Sequence, residues 1–141
     1  MPRVKLGDSA PTFELPGTDG RTHSLADYDG RAGLVAINSN DHAGDGIESM
    51  TARAQQKSFV FPFLRDESQA VADAYQPART PEVFLFDSDR RLVYHGAPDS
   101  SHNDPAGATP YLRQALDAVL AGEAPAVHET PAVGCTIKWR S

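Results

Sequence analysis

The chain has 141 residues, a formal net charge of −6 and one cysteine, with hydrophobic residues at 40% and charged residues at 23%. That length fits one domain able to bury a core without disulfide or metal staples. The acidic balance, with no cluster of Lys and Arg, argues against nucleic acid and anionic membrane surfaces as partners. A single cysteine excludes an internal disulfide, a Cys-x-x-Cys redox pair and a cysteine-rich zinc site. No apolar run approaches the ~20 residues of a membrane span. Met1 to Asp8 lacks the apolar region of a secretory signal, so the cytoplasm is the expected compartment unless a leader has been removed.

In chain order, strand-like and helix-like segments alternate, which predicts an α/β domain. Phe13 and Leu15 alternate with polar residues, Asp19-Gly20 turns the chain, and His23 to Leu25 returns, giving an N-terminal β-hairpin. Leu34 to Ile37 is a short continuous apolar run, as in a strand buried on both faces. Asp45 and Glu48 read as the N-cap and capping-box partner of a helix, whose inner positions are Ile47, Met50 and Ala54. Phe59 to Leu64 reads as a strand, and Pro62, which has no N–H to donate, places it at an edge.

Asp66 and Gln69 mark a second helix start, with Val71, Ala74 and Tyr75 on the inner face. Val83 to Phe86 is a buried strand, Asp87-Ser88-Asp89 a turn, and Leu92 to His95 its antiparallel partner. Thr109-Pro110 starts a third helix as N-cap and first helical residue. Tyr111, Leu112, Ala115, Leu116, Val119 and Leu120 make its apolar stripe, and Gly122 its C-cap. The tail from Glu123 to Ser141 runs over the surface, with Val133 to Trp139 as a short strand or an extended packed segment. The chain is expected to form a single domain over residues 1–141: hairpin and link in 1–32, core in 33–122, C-terminal extension in 123–141.

Several segments resemble a bacterial thioredoxin-like family near the peroxiredoxin (AhpC/TSA, redoxin) group. They are Gly7 to Pro16, Val35 to Asp41, Asp66 to Gln69, Thr80-Pro81, Phe84 to Asp87 and Val133 to Trp139, in the family's order over nearly the whole chain. The resemblance implies a thioredoxin-like fold, a central mixed sheet in the order β-α-β-α-β-β-α, and descent from proteins that reduce disulfides or peroxides.

One departure outweighs the matches. In such proteins a central strand ending in the redox cysteines follows the segment that here is Ser24 to Tyr28. Here Tyr28 to Gly33 runs straight into the next strand, so a strand-helix unit on the order of 30 residues is missing. A shift by one unit would put Leu34–Ile37 in the central slot, pair Val83–Phe86 with it and restore a minimal fold.

Asn38, Ser39, Asn40 and Asp41 then stand where the thiols would be. They form either a polar binding loop at a helix N-terminus or, more commonly, an ordinary strand-to-helix loop of turn formers. The resemblance implies a cis bond at Thr80-Pro81 and a groove beside it, the alternative being a rigid turn into a strand. Cys135 is either a reactive thiol, which needs exposure and a lowered pKa with Lys138 or Arg140 as helpers, or a small inert residue in a packed tail. Its match to a non-catalytic segment favours the second.

Of the histidines His23, His42, His95, His102 and His128, only His42 (beside Asp41, near Asp45) and His102 (near Asp104) invite a metal. Neither has a recognised ligand spacing, so no metal and no cofactor are expected. The leading function is a redox-degenerate domain that binds or scaffolds through the groove near Pro81, with a protein or thiol partner the sequence does not name. The rival is a one-cysteine thiol oxidoreductase or peroxidase, and a third reading is an engineered or chance deletion. Apolar surface exposed by the lost helix would be buried by homodimerisation.

Overall fold

The structure, a computed structural model, describes residues 4–30, 32–101, 103–104 and 106–140. The strands of the described residues form three two-stranded ladders. The strands are only three to five residues long, and isolated bridges meet two of them, at Leu64 and at His95. The chain gathers into two compact units. Among the described residues, one holds 11–76 and 137–140; the other holds 4–10 and 77–136.

In the first unit, β1 (Glu14–Pro16) and β2 (Thr22–Ser24) form the expected antiparallel hairpin, with Leu15 opposite His23. Asp19 fixes its tip by accepting from Arg21 N at 3.0 Å and lying 2.9 Å from His23 Nε2. Burial pushes the Asp19 pKa up, but the bonds from Arg21 and His23 outweigh it and hold the carboxyl below its ordinary value. A 3-10 turn over Leu25–Tyr28 follows, and the link bends so tightly that a side chain at Gly33 would strike the Tyr28 ring.

Strand β3 (Ala36–Asn38) runs parallel to β4 (Phe63–Arg65), with Ile37 opposite Leu64. β3 is not buried on both faces: Leu34 is 60% and Ile37 36% exposed. On β4, Leu64 also forms an isolated bridge with Gly17. Pro62 stands just before β4, where its missing N–H costs no ladder bond, and its carbonyl accepts from Ala36.

Between these strands lies α1 (Ile47–Gln56), which buries Met50. Its N-cap is Gly46, not Asp45, whose carboxylate is taken up by the Asn38 amide. Helix α2 (Ala70–Tyr75) follows β4, and Leu15, Leu64 and Val71 make the core with Phe13, Val35 and Tyr75 packed on it.

In the second unit, β5 (Val83–Phe86) and β6 (Leu92–Gly96) form an antiparallel hairpin with a bulge at Leu85/Phe86. Asp87 closes the turn, its Oδ1 accepting from Asp89 and Arg91 amides. The N-terminal segment pairs with the start of β6 through Gly7, Asp8 and Leu92, and the 128–130 segment pairs with its end at His95.

Helix α3 (Tyr111–Leu120) begins one residue later than expected, with Pro110 as the N-cap. It ends as its sequence predicts. Gly122 at φ +77° turns the chain while its N–H bonds Val119 O and the Glu123 N–H bonds Ala118 O, the paired closure that an αL glycine permits. Ala115 is buried, but Leu116 and Leu120 of the expected stripe are 38% and 65% exposed.

Candidate functional site

The residues singled out in the sequence fall into two sets. Asn38–Asp41 lie in the first unit; Thr80, Pro81 and Cys135 lie in the second.

In the first set the loop leaves β3 and its polar groups are engaged at once. Asn38 donates through Nδ2 to Asp45, and its Oδ1 accepts from the Asn40 amide at 3.1 Å. Ser39 Oγ donates to Asp66 at 2.7 Å. Asp66 has no exposed surface and also accepts from the Val71 and Ala72 amides, so it caps α2 as the sequence predicted, from four residues before the first helical position. Arg65, 5% exposed, reaches back with Nη1 to the carbonyls of Asn38 and Asn40, while its buried Nε has no partner.

Gln69 ties this loop to the chain end. Its backbone is left-handed at φ 65°, a conformation costly for a residue with a side chain. Its side-chain amide is buried and fully used. Nε2 donates to Ser39 O at 2.7 Å and Lys138 O at 2.9 Å, and Oε1 accepts from Arg140 N at 2.9 Å. The loop adds two bonds of its own, Asp41 N to Lys138 O and Lys138 N to Asn40 Oδ1. The tail residues 137–140 are thus seated on the loop. Arg140 also donates to Glu67 O and lies 3.8 Å from Asp41, a half-exposed pair worth little by itself.

In the second set the Thr80–Pro81 peptide is cis. Thr80 exchanges both main-chain bonds with Cys135, at 2.9 and 3.1 Å. Gly134 makes this approach possible. It sits at φ +147°, and a Cβ there would collide with the Thr80 carbonyl. Cys135 is exposed, so the expectation of a thiol packed within the tail is corrected: the backbone pairs and the side chain faces solvent. Lys138 bonds the loop after β3 through its main chain, and the Arg140 N–H donates to Gln69 Oε1.

Sequence reasoning missed two features. Gln69 was read only as a helix-start residue; its left-handed backbone has no signal in composition or periodicity. His95 was one histidine among five, yet it lies buried between Glu82, at 3.9 Å from Nδ1, and Glu129, at 3.3 Å from Nε2, with its ring stacked on Phe84. The two carboxylates stand at opposite nitrogens, so they do not converge on one point. His42 caps the 3-10 turn Ala43–Asp45 through Nδ1, and His102 lies outside the described residues. Among the described residues, no three His, Cys, Asp or Glu side chains are placed to hold a metal ion. No helix among them is long and apolar enough to cross a membrane. A separate cleft of about 490 Å³ in the first unit, lined by Phe59, Val60, Phe61 and Phe63, offers Asp19 as its titratable group.

The parallel β3–α1–β4 unit and the β5–β6 hairpin followed by α3 define a class, the thioredoxin-like fold. The thioredoxin domain of a thiol-disulfide oxidoreductase from Bacteroides vulgatus superposes at a TM-score of 0.54, with 15% identity over 65% of this chain and 88% of that one. At that identity the likeness is one of fold. Within the class, the chain belongs to the same family as a hypothetical protein from Sinorhizobium meliloti 1021 and an uncharacterized conserved protein from Geobacillus kaustophilus. Each is 32% identical to it, over 99% of this chain and 97% of the other, at a TM-score of 0.89. No protein-family model matches the chain, and no curated protein is similar to it.

Proposed function

We propose that this protein is a redox-degenerate member of the thioredoxin-like class, one that works by binding instead of thiol exchange. The observation that carries the reading is the loop after β3. It holds Asn38, Ser39, Asn40 and Asp41, all hydrogen-bonded, and none of these side chains can act as a disulfide-exchange nucleophile. In this reading β3 and α1 stand in for the lost strand-helix unit. Two relatives align with this chain over 97% of their own length at a TM-score of 0.89, which supports a family architecture over a chance deletion.

The second reading, a one-cysteine peroxidase or oxidoreductase, is favoured by the exposure of Cys135. Cys135 would form a sulfenic acid on reaction with peroxide and need an external thiol to return. The two readings separate on rates. Exposure predicts rapid labelling of Cys135 by a thiol probe in the folded protein. Degeneracy predicts oxidation by hydrogen peroxide no more than a few-fold faster than free cysteine, and no acceleration of insulin disulfide reduction by dithiothreitol. Peroxide oxidation a hundredfold faster than free cysteine would overturn the proposal in favour of the enzyme.

A further inference from the structure

We infer that Asn40, Asp41 and Gln69 form a binding site for an extended peptide main chain, and that the chain's own residues 138–140 are its resident occupant. The inference rests on the reading above that the domain works by binding.

The groups on the groove side are one backbone N–H (Asp41), one side-chain acceptor (Asn40 Oδ1) and a primary amide that donates and accepts (Gln69). They meet the N–H of Lys138, the C=O of Lys138 and the N–H of Arg140. These atoms belong to every peptide, so the groove reads an extended backbone at one residue and again two residues later, as strand addition does. Gln69 is only 6% exposed and is held in a strained left-handed turn.

The occupant is lightly held. Residues 138–140 remain exposed, Trp139 at 45%. An exposed segment outside the core opens locally at lower free energy than the core elements do. The site is therefore self-occupied and available to a competing extended peptide. A basic residue at the Arg140 position would add the contact to Glu67 O.

The test uses the full chain. Lys138→Pro with Arg140→Pro removes the two tail N–H donors and leaves the groove intact. The probe is a fluorescein-labelled peptide with the sequence of residues 133–140, serine replacing its cysteine, followed by anisotropy. The proline variant is expected to bind it at least tenfold more tightly than the unaltered protein. Adding Gln69→Asn, which tolerates the left-handed backbone but is too short to reach, should return binding to background. A folded proline variant that binds no better than the unaltered protein, or binding indifferent to Gln69→Asn, overturns the inference.

Hydrogen exchange in the unaltered protein is a second check. The Lys138 and Arg140 amides should exchange at least a hundredfold faster than the Ala72 amide, which is bonded to buried Asp66. Equal rates would mean the tail leaves only on global unfolding and would also overturn it. A fast-reacting Cys135 would end the redox-inert reading while leaving peptide binding standing. An inert thiol with no peptide binding would end the groove alone.

Discussion

Asp66 shows how much of this fold depends on one carboxylate. It has no solvent contact and accepts from Ser39 Oγ, Val71 N and Ala72 N, joining the loop after β3 to the start of α2. Removing it leaves buried donors unsatisfied and uncaps the helix. Asp66→Ala is expected to lower stability by about 3 kcal/mol, read as a lower midpoint in urea. Tyr94 plays a comparable part in the second unit, where its hydroxyl bonds Ala97 O and Thr130 Oγ1.

Burial pushes the Tyr94 pKa up. The nearby Tyr111 and Glu82 add to the rise, and the bond to Thr130 opposes it. The folded state thus holds this proton more tightly than the unfolded chain does. The resulting stability is whole below the ordinary tyrosine value and is lost as pH rises through the elevated one. Tyr94→Phe should cost about 1–2 kcal/mol at neutral pH through lost hydrogen bonds, and should flatten the fall in urea midpoint above about pH 10. An equally steep fall in the variant would place the alkaline sensitivity elsewhere.

Among elements, the C-terminal extension departs most from its expected role. It does not simply run over the surface: Glu129 bridges His95, Cys135 bridges Thr80, and Lys138 bonds the loop after β3. Gly134 controls the middle contact, since its positive φ and the nearby Thr80 carbonyl leave no space for a side chain. Gly134→Ala is expected to destabilise the protein by about 1–3 kcal/mol. It should also speed exchange of the Thr80 and Cys135 amides at least tenfold, while the Leu92 amide, bonded to Asp8 O, stays protected. Unchanged exchange at Thr80 would show that the tail accommodates the new methyl elsewhere.

At the scale of the molecule, the lone cysteine and the polar loop after β3 bear on function together. A fold shared with thiol oxidoreductases supplies a scaffold, but fold alone does not supply chemistry. Here the loop's side chains are spent on internal bonds and on the chain's own end. The peptide groove and the reactivity of Cys135 are therefore the two measurements of consequence.

Local pattern was enough for several of these features. Alternation and the Asp19-Gly20 turn determined the first hairpin, the apolar run and Asp87 turn the second, and Gly122 the end of α3. The single cysteine excluded an internal disulfide and a Cys-x-x-Cys pair. Tertiary structure decided the rest, because the deciding partners lie far apart in sequence. Ser39 meets Asp66 across 27 residues, Gln69 meets Lys138 across 69, and Asn40 meets Lys138 across 98. Periodicity records which face of an element is apolar; it carries no record of which distant carbonyl will satisfy a buried amide. Asp45 therefore looked like a cap and became a partner of Asn38, while Gln69 stands at the helix start expected of it and is also the clasp between the loop and residues 138–140.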